Sequence, residues 1–561
     1  MKAHKILLAP LLAGALVLSA CGGGSGGTDE GGTTESIAPI SSQDINIKDR
    51  GELAQGGTVR LDVADFGNNW NPLHVDGNNA DLSNARRALM PQFFNYDTKG
   101  VPSPNPNWLV SAEETNANPT TINYKLNPKA VWGDGSPVDA DDMTATWKAC
   151  SGEDKKFNCV TTQGYDQIAS ITTGADKFDV TITYKGPYPD WTAPFSYPGT
   201  LKAEQVKDAA TFNTGWKDLD NSWLSGPFKV ESFDNSQKVL TEVPNDKWWG
   251  EKPLLDKIAF RAISPDAVAA AFANNELDSF DIGPDPDAYQ RVKGVSDATI
   301  RQAAGPNFRH FTFNTKAGEL TDQKVRQAIV KGLDREAIGA SDLAGIDWPV
   351  QPLNNNILLQ NQEGYEDVAG GITYDPEGAK ADLDALGWTV GSDGIREKGG
   401  KKLAVKFSQL SGVPVSANEA LQTQNMLKEV GVKVDIVDVP IAKFQDGSVL
   451  SNHEFEIIAF SWIGTPYPFA SIKQIYGTGQ DSNYSQLSVP QIDENIKLID
   501  SETDQAKRID LANATAKIIW ENVMTLPLYQ RPELTAVKTK LANYGSFGLS
   551  NPQWENVGYE K

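Results

Sequence analysis

The first twenty-one residues decide where the rest of the chain has to fold. Lys2 and Lys5 precede an apolar run from Ile6 to Val17, and Leu18-Ser19-Ala20 then leads into Cys21. A basic start, a short apolar stretch and small residues before a cleavage point make residues 1–20 a secretory signal peptide. A cysteine directly after the small residues reads as a bacterial lipobox, with the Cys21 thiol lipidated at the mature N-terminus. Pro10 and Gly14 interrupt the apolar run, which is also short of the about 20 residues that cross a bilayer. An uncleaved anchor is the weaker reading. A diacylglyceryl cysteine supplies two buried acyl chains, enough for stable anchoring. The body is therefore expected on the extracytoplasmic face of the cell membrane.

Beyond the signal about 540 residues remain, too many for one core and enough for two or three domains. The net charge of −22 argues against nucleic acid as a partner. No later segment is a continuous apolar span. Cys150 and Cys159 are the only thiols after Cys21. In an oxidising envelope such a pair reads as a disulfide, with two free thiols as the alternative. Only His74, His310 and His453 follow the signal, so neither a metal site nor a cofactor is expected.

Residues 22–56 are Gly, Ser, Thr and acidic residues with few large apolar groups, and are expected to stay a flexible linker. A coil of that length would span roughly 30–35 Å. The linker contains Gly23-Gly24-Ser25-Gly26-Gly27, but a nucleophile elbow needs a strand before it and a helix after it. The body then alternates. Thr58–Val63, Ile122–Leu126, Val180–Tyr184 and Val432–Ile436 carry the period-two pattern of strands. Asp139 caps a helix, Thr321-Asp322 opens a second, Pro376–Leu386 makes a third, and Leu421–Val430 a fourth. Interleaved strands and helices with long loops make the class α/β. Asp281, Asp285 and Asp287, stiffened by Pro284 and Pro286, fit no cation loop and read as solvated surface.

Several segments in this order resemble the family-5 solute-binding proteins of ABC importers, the oligopeptide-binding lipoproteins of actinobacterial type. Val131-Trp132-Gly133-Asp134-Gly135-Ser136-Pro137-Val138-Asp139-Ala140-Asp141-Asp142 is similar to that family's signature, as is Ser225-Gly226-Pro227-Phe228 followed by Asn245-Asp246-Lys247-Trp248-Trp249. Phe313-Asn314-Thr315, Val325-Arg326-Gln327-Ala328-Ile329 and Asp334-Arg335 continue the likeness to Leu526-Pro527-Leu528. The resemblance implies a two-lobed periplasmic-binding-protein fold of type II. The first lobe would be 57–307 plus 529–561, with an extra domain at about 80–190, and the second lobe 308–528. A hinge near Asn307–Phe311 and Leu526–Gln530 would let the lobes close on a ligand between them.

Gly77-Asn78-Asn79 offers close backbone approach and paired amide donors and acceptors suited to peptide main chain; an ordinary turn is the competing reading. Trp462, Gly464, Thr465 and Tyr467 form a second candidate group, with core packing as the alternative for the two aromatics. Tyr197, in Phe195-Ser196-Tyr197-Pro198-Gly199, is a third candidate. The resemblance places an aspartate at position 465, pairing with a peptide's amino terminus, but this chain has threonine. A hydroxyl cannot neutralise an ammonium, so the expected ligand lacks one there or another carboxylate takes over. The resemblance implies a monomeric, non-enzymatic receptor that captures peptides and hands them to permease subunits with their ATPases. An oligosaccharide or muropeptide cargo is the alternative. A secreted hydrolase is remote, since no metal-spaced or nucleophile motif stands outside the linker.

Overall fold

The computed structural model describes residues 40–561. The signal peptide, Cys21 and the linker as far as residue 39 lie outside the described residues. Three sheets carry the architecture. In the first, Thr58–Val63 pairs in parallel with Lys257–Ala262, which continues antiparallel into Val239–Pro244 and Phe228–Asp234. Val59, Leu61 and Val63 point inward, as alternation along a half-buried strand requires. The second sheet is antiparallel, in the order Leu109–Ala117, Thr120–Leu126, Asp179–Tyr184, Ile168–Thr173. The third has six strands, in the order Ser279–Asp281, Thr525–Lys538, Ala298–Phe313, Ile457–Ile463, Ala404–Leu410, Lys433–Val439.

Two large apolar cores result. One gathers residues between Val59 and Phe260, joined by Val537, Leu541, Trp554 and Val557. The other runs from Val268 to Ala536. The long strands Ala298–Phe313 and Thr525–Lys538 lie side by side, with register breaks between Ala304 and Phe308 and again between Arg309 and His310. Such breaks bend a strand pair and add twist. Beside the second break Arg309 is held on Glu419 by two bonds of 2.6 and 2.5 Å. Asp342 next to this pair accepts from Asn418 and from the Tyr529 hydroxyl. Burial and the nearby Glu419 charge push the Asp342 carboxyl up to about 8.

Three of the four expected helices start where their sequence signals say. Asp139 caps Ala140–Cys150, with Asp142 reaching back to the Asp139 amide. Asp142 also takes the Trp132 indole at 2.8 Å and the Ala203 amide at 2.7 Å. The Trp-Gly-Asp-Gly signature is therefore a fold lock: a Cβ on Gly133 would collide with Asn221 O, and Gly135 turns at φ +91°. Arg326 and Arg335 likewise spend their guanidiniums on backbone carbonyls, of Leu320 and Asn522 and of Leu353 and Pro527. The helix expected from Leu421 begins earlier, at Pro414, with proline in its first turn.

One expectation is corrected. The described part of the supposed linker, residues 40–56, is not free coil. Asp44 exchanges backbone hydrogen bonds with Ser546, Ala54 donates to Tyr559 O, and Leu53 is buried with Leu254 and Ala542. The segment is ordered by pairing with the C-terminal residues, a partner some 500 positions away that local composition does not disclose.

Candidate functional site

A cavity of about 960 Å³ opens between walls drawn from distant parts of the chain. Asn78, Arg87, Tyr96 and the segments 160–165 and 188–197 form one wall; 461–475 forms the other, and 548–551 closes the end. Sites for small molecules are concave and mostly apolar with a few placed polar groups, and this one fits. Ile463, 77% exposed, offers the largest apolar face.

The loop before the first short helix divides the Gly77-Asn78-Asn79 candidate. Gly77 is buried in a 3-10 turn, and a Cβ there would collide with Asn71 O. Its carbonyl accepts from the Arg86 guanidinium at 2.9 Å. Asn79 caps the helix Ala80–Arg86, taking the Leu82 amide at 2.7 Å. Gly77 and Asn79 are thus structural, as the turn reading held. Asn78 alone of the three lines the cavity.

Trp462, Gly464, Thr465 and Tyr467 all line it. Trp462 is the middle of a parallel stack, 5.8 Å from His310 and 5.9 Å from Tyr484. Gly464 donates to Pro306 O, and a Cβ there would strike that oxygen, so glycine lets the two backbones meet. The Thr465 hydroxyl is folded back on its own turn, receiving the Tyr467 amide at 3.2 Å and facing Tyr467 O at 3.3 Å. Tyr467 reaches across the cleft: its hydroxyl meets Tyr96 OH at 3.0 Å and Thr192 Oγ1 at 2.8 Å. Burial pushes that phenol well above its usual range.

Tyr197 lines the opposite wall, with the Arg87 guanidinium 5.0 Å over its ring. Arg87 and Asn551 carry no signal in the sequence that marks them for the cavity. Arg86 and Arg87 are neighbours at the end of one helix; only the wrapping of the 69–79 loop onto Arg86 separates the buried one from the one in the cavity. No Asp or Glu is among the lining residues. A smaller cavity of about 210 Å³ shares Pro466 and Tyr467 and contains Asp190, Glu363 and Arg508.

Cys150 and Cys159 are joined as a disulfide. The bridge ties the helix Ala140–Cys150 to the extended segment 158–160 that meets the 73–75 loop, where Val160 donates to Leu73 O and Val75 to Asn158 O. It thereby braces one cavity wall. Asp285 caps the helix Pro286–Lys293, and Asp281 takes the Gly283 amide; both are local fasteners.

The chain matches the bacterial extracellular solute-binding proteins, family 5, over residues 104–483. It is 35% identical to the oligopeptide-binding protein OppA of Mycobacterium tuberculosis, across 99% of this chain and 93% of that one. Its fold is shared with the periplasmic EDTA-binding protein EppA, with TM-score 0.83, 24% identity and coverage of 93% and 99% of the two chains. It is shared too with AppA from Bacillus subtilis in complex with a nonapeptide, with TM-score 0.72, 19% identity and coverage of 91% and 100%. This chain belongs to family 5 of the bacterial extracellular solute-binding proteins.

Proposed function

We propose that this protein is the receptor of an ABC importer, lipid-anchored through Cys21 outside the membrane, which captures peptides and delivers them to a permease. The observation that carries the reading is the cavity of about 960 Å³ whose walls come from both sides of the cleft. Ligand held there touches both walls, so it favours the closed arrangement by its differential affinity for it. The long strands 298–313 and 525–538, broken in register near Phe308 and His310, supply a place to bend. The 35% identity to a protein named for oligopeptide binding supports peptide as the cargo class. Binding alone is the proposed role, with no chemistry on the cargo.

The Thr465 hydroxyl is turned onto Tyr467 and no carboxylate lines the cavity. The ligand therefore carries no free ammonium at that end, as in N-blocked or cyclic peptides. Mass spectrometry of ligand extracted from natively purified protein tests this. Unaltered peptides without a free amino terminus are expected. Sugars without peptide would overturn the cargo class, and cleaved products would overturn the receptor role. Linear peptides with free amino termini would overturn the Thr465 argument, and Glu363→Gln would then show whether the neighbouring carboxylate holds them.

A further inference from the structure

Arg86 and Arg87 are adjacent cations that make no salt bridge among the described residues, in a chain with 73 acidic residues. Arg86 is 1% exposed, and its guanidinium donates only to the carbonyls of Trp70 and Gly77, each at 2.9 Å. Arg87 lies over the Tyr197 ring and lines the cavity. Among the described residues its side chain makes no salt bridge, and its one hydrogen bond is from its backbone to Asn84 O. Among the described residues, Arg87 is the only charged one on the cavity lining. Three lining residues, Ser461, Trp462 and Asn551, also hold a polar atom buried behind the lining without a partner among the described residues. Each can donate, and the indole and the amide nitrogen can only donate. Among the described residues the cavity lining therefore presents one guanidinium free of salt bridges, with a second positive charge behind it, and no anion.

We infer that Arg87 is an anion anchor that holds a carboxylate of the ligand, with buried Arg86 reinforcing the positive field. A guanidinium presents a planar fork matched to a carboxylate, and such charge-assisted pairs are about twice as strong as neutral hydrogen bonds. The Tyr197 ring beneath Arg87 keeps that fork from folding away. This inference deepens the proposed peptide-receptor reading and rests on it for the class of molecule carrying the carboxylate. The carboxylate is the peptide's own C-terminus or an acidic side chain; both present the same group.

Titration calorimetry with an N-acetylated nonapeptide containing one internal glutamate separates the possibilities. It is used as the free acid, as the C-terminal amide, and with the glutamate replaced by glutamine. On the unaltered protein, removing the recognised charge is expected to raise Kd by about 10- to 100-fold. The amide or the glutamine form identifies which carboxylate is held. Arg87→Gln is expected to bind the charged and neutral forms alike, and Arg87→Lys to recover part of the difference. Thermal unfolding of each variant without ligand controls for the lost Tyr197 contact, and the three-peptide comparison needs no variant at all. If the peptides bind and neither neutralisation moves Kd by even twofold, the anchor is wrong and the receptor reading stands. If none of the peptides binds while the iron(III)–EDTA complex binds in an Arg87-dependent way, the anion anchor stands and the peptide reading falls.

Discussion

Arg508 grips Asp190 with both terminal nitrogens, at 2.9 and 2.8 Å, joining the helix Gln505–Asn522 to the Pro-rich loop of the opposite wall. The guanidinium is buried and also lies 4.6 Å over the Phe469 ring. With Tyr467 on Tyr96 and Thr192, and Gln163 on Ala470 O, it is one of the polar fasteners across the cleft. We predict that Asp190→Asn weakens ligand binding by about thirtyfold, because a closed form that buries an unpaired guanidinium costs about 2 kcal/mol or more. Calorimetry reads the affinity, and small-angle scattering reads the share of closed molecules. Unchanged values for both would mean that the pair is not a closure fastener.

The three residues of the Gly77 loop are predicted to separate cleanly. Gly77→Ala forces a methyl against Asn71 O and should cost roughly 1–3 kcal/mol of stability. Asn79→Ala removes the cap on Leu82 and should cost about 1 kcal/mol, leaving affinity within twofold. Asn78→Ala should leave the melting temperature alone and weaken ligand binding. Chemical denaturation beside calorimetry checks all three; a stability loss in Asn78→Ala would contradict its assignment.

Replacing Cys150 and Cys159 together by serine is predicted to destabilise the protein by roughly 2–3 kcal/mol in the chain-entropy model. The bridged helix and the 158–160 segment hold the 73–75 loop, so affinity should fall as well. Urea unfolding with and without reductant gives the first quantity. Reductant should have no effect on the serine variant.

Asp342 sets a pH dependence. Its carboxyl is raised to about 8 when folded, from an ordinary value near 4. The folded protein therefore keeps a proton that the unfolded chain releases, and stability falls as pH rises through the folded value. Buried His310 works in the opposite sense, but its effect is complete above about pH 6.5. Between pH 6.5 and 8.5 the melting temperature of the unaltered protein is predicted to drop, with Glu533, raised to about 7, adding to it. Asp342→Asn should flatten that slope. An equal slope in the variant would assign the proton elsewhere.

Local patterns carried much of this fold. Alternation located Thr58–Val63 and Val180–Tyr184, and the Asp139 cap, the apolar stripe after Thr321-Asp322 and the proline at 376 located three helices, since each depends on neighbours a few positions away. The cavity was harder to read. Trp462, Thr465, Tyr467, Tyr197 and Asn78 were singled out and do line it. Asn79 has the same chemistry as Asn78 yet caps a helix, because side-chain type does not reveal which polar group a turn has already claimed. Arg87 escaped notice for the converse reason. Nothing in Ala85-Arg86-Arg87-Ala88 says which guanidinium will find carbonyls and which will be left over.

The pairing of residues 44–54 with 541–560 has a consequence for the order in which the protein assembles. Thr58–Val63 waits about 200 residues for its parallel neighbour at Lys257–Ala262, and Asp44 waits about 500 for Ser546. Contacts this distant in sequence form late and slowly. In a chain delivered from its N-terminal side, residues 44–54 thus stay unpaired until residues 541–560 arrive, and that distant stretch finishes this part of the body.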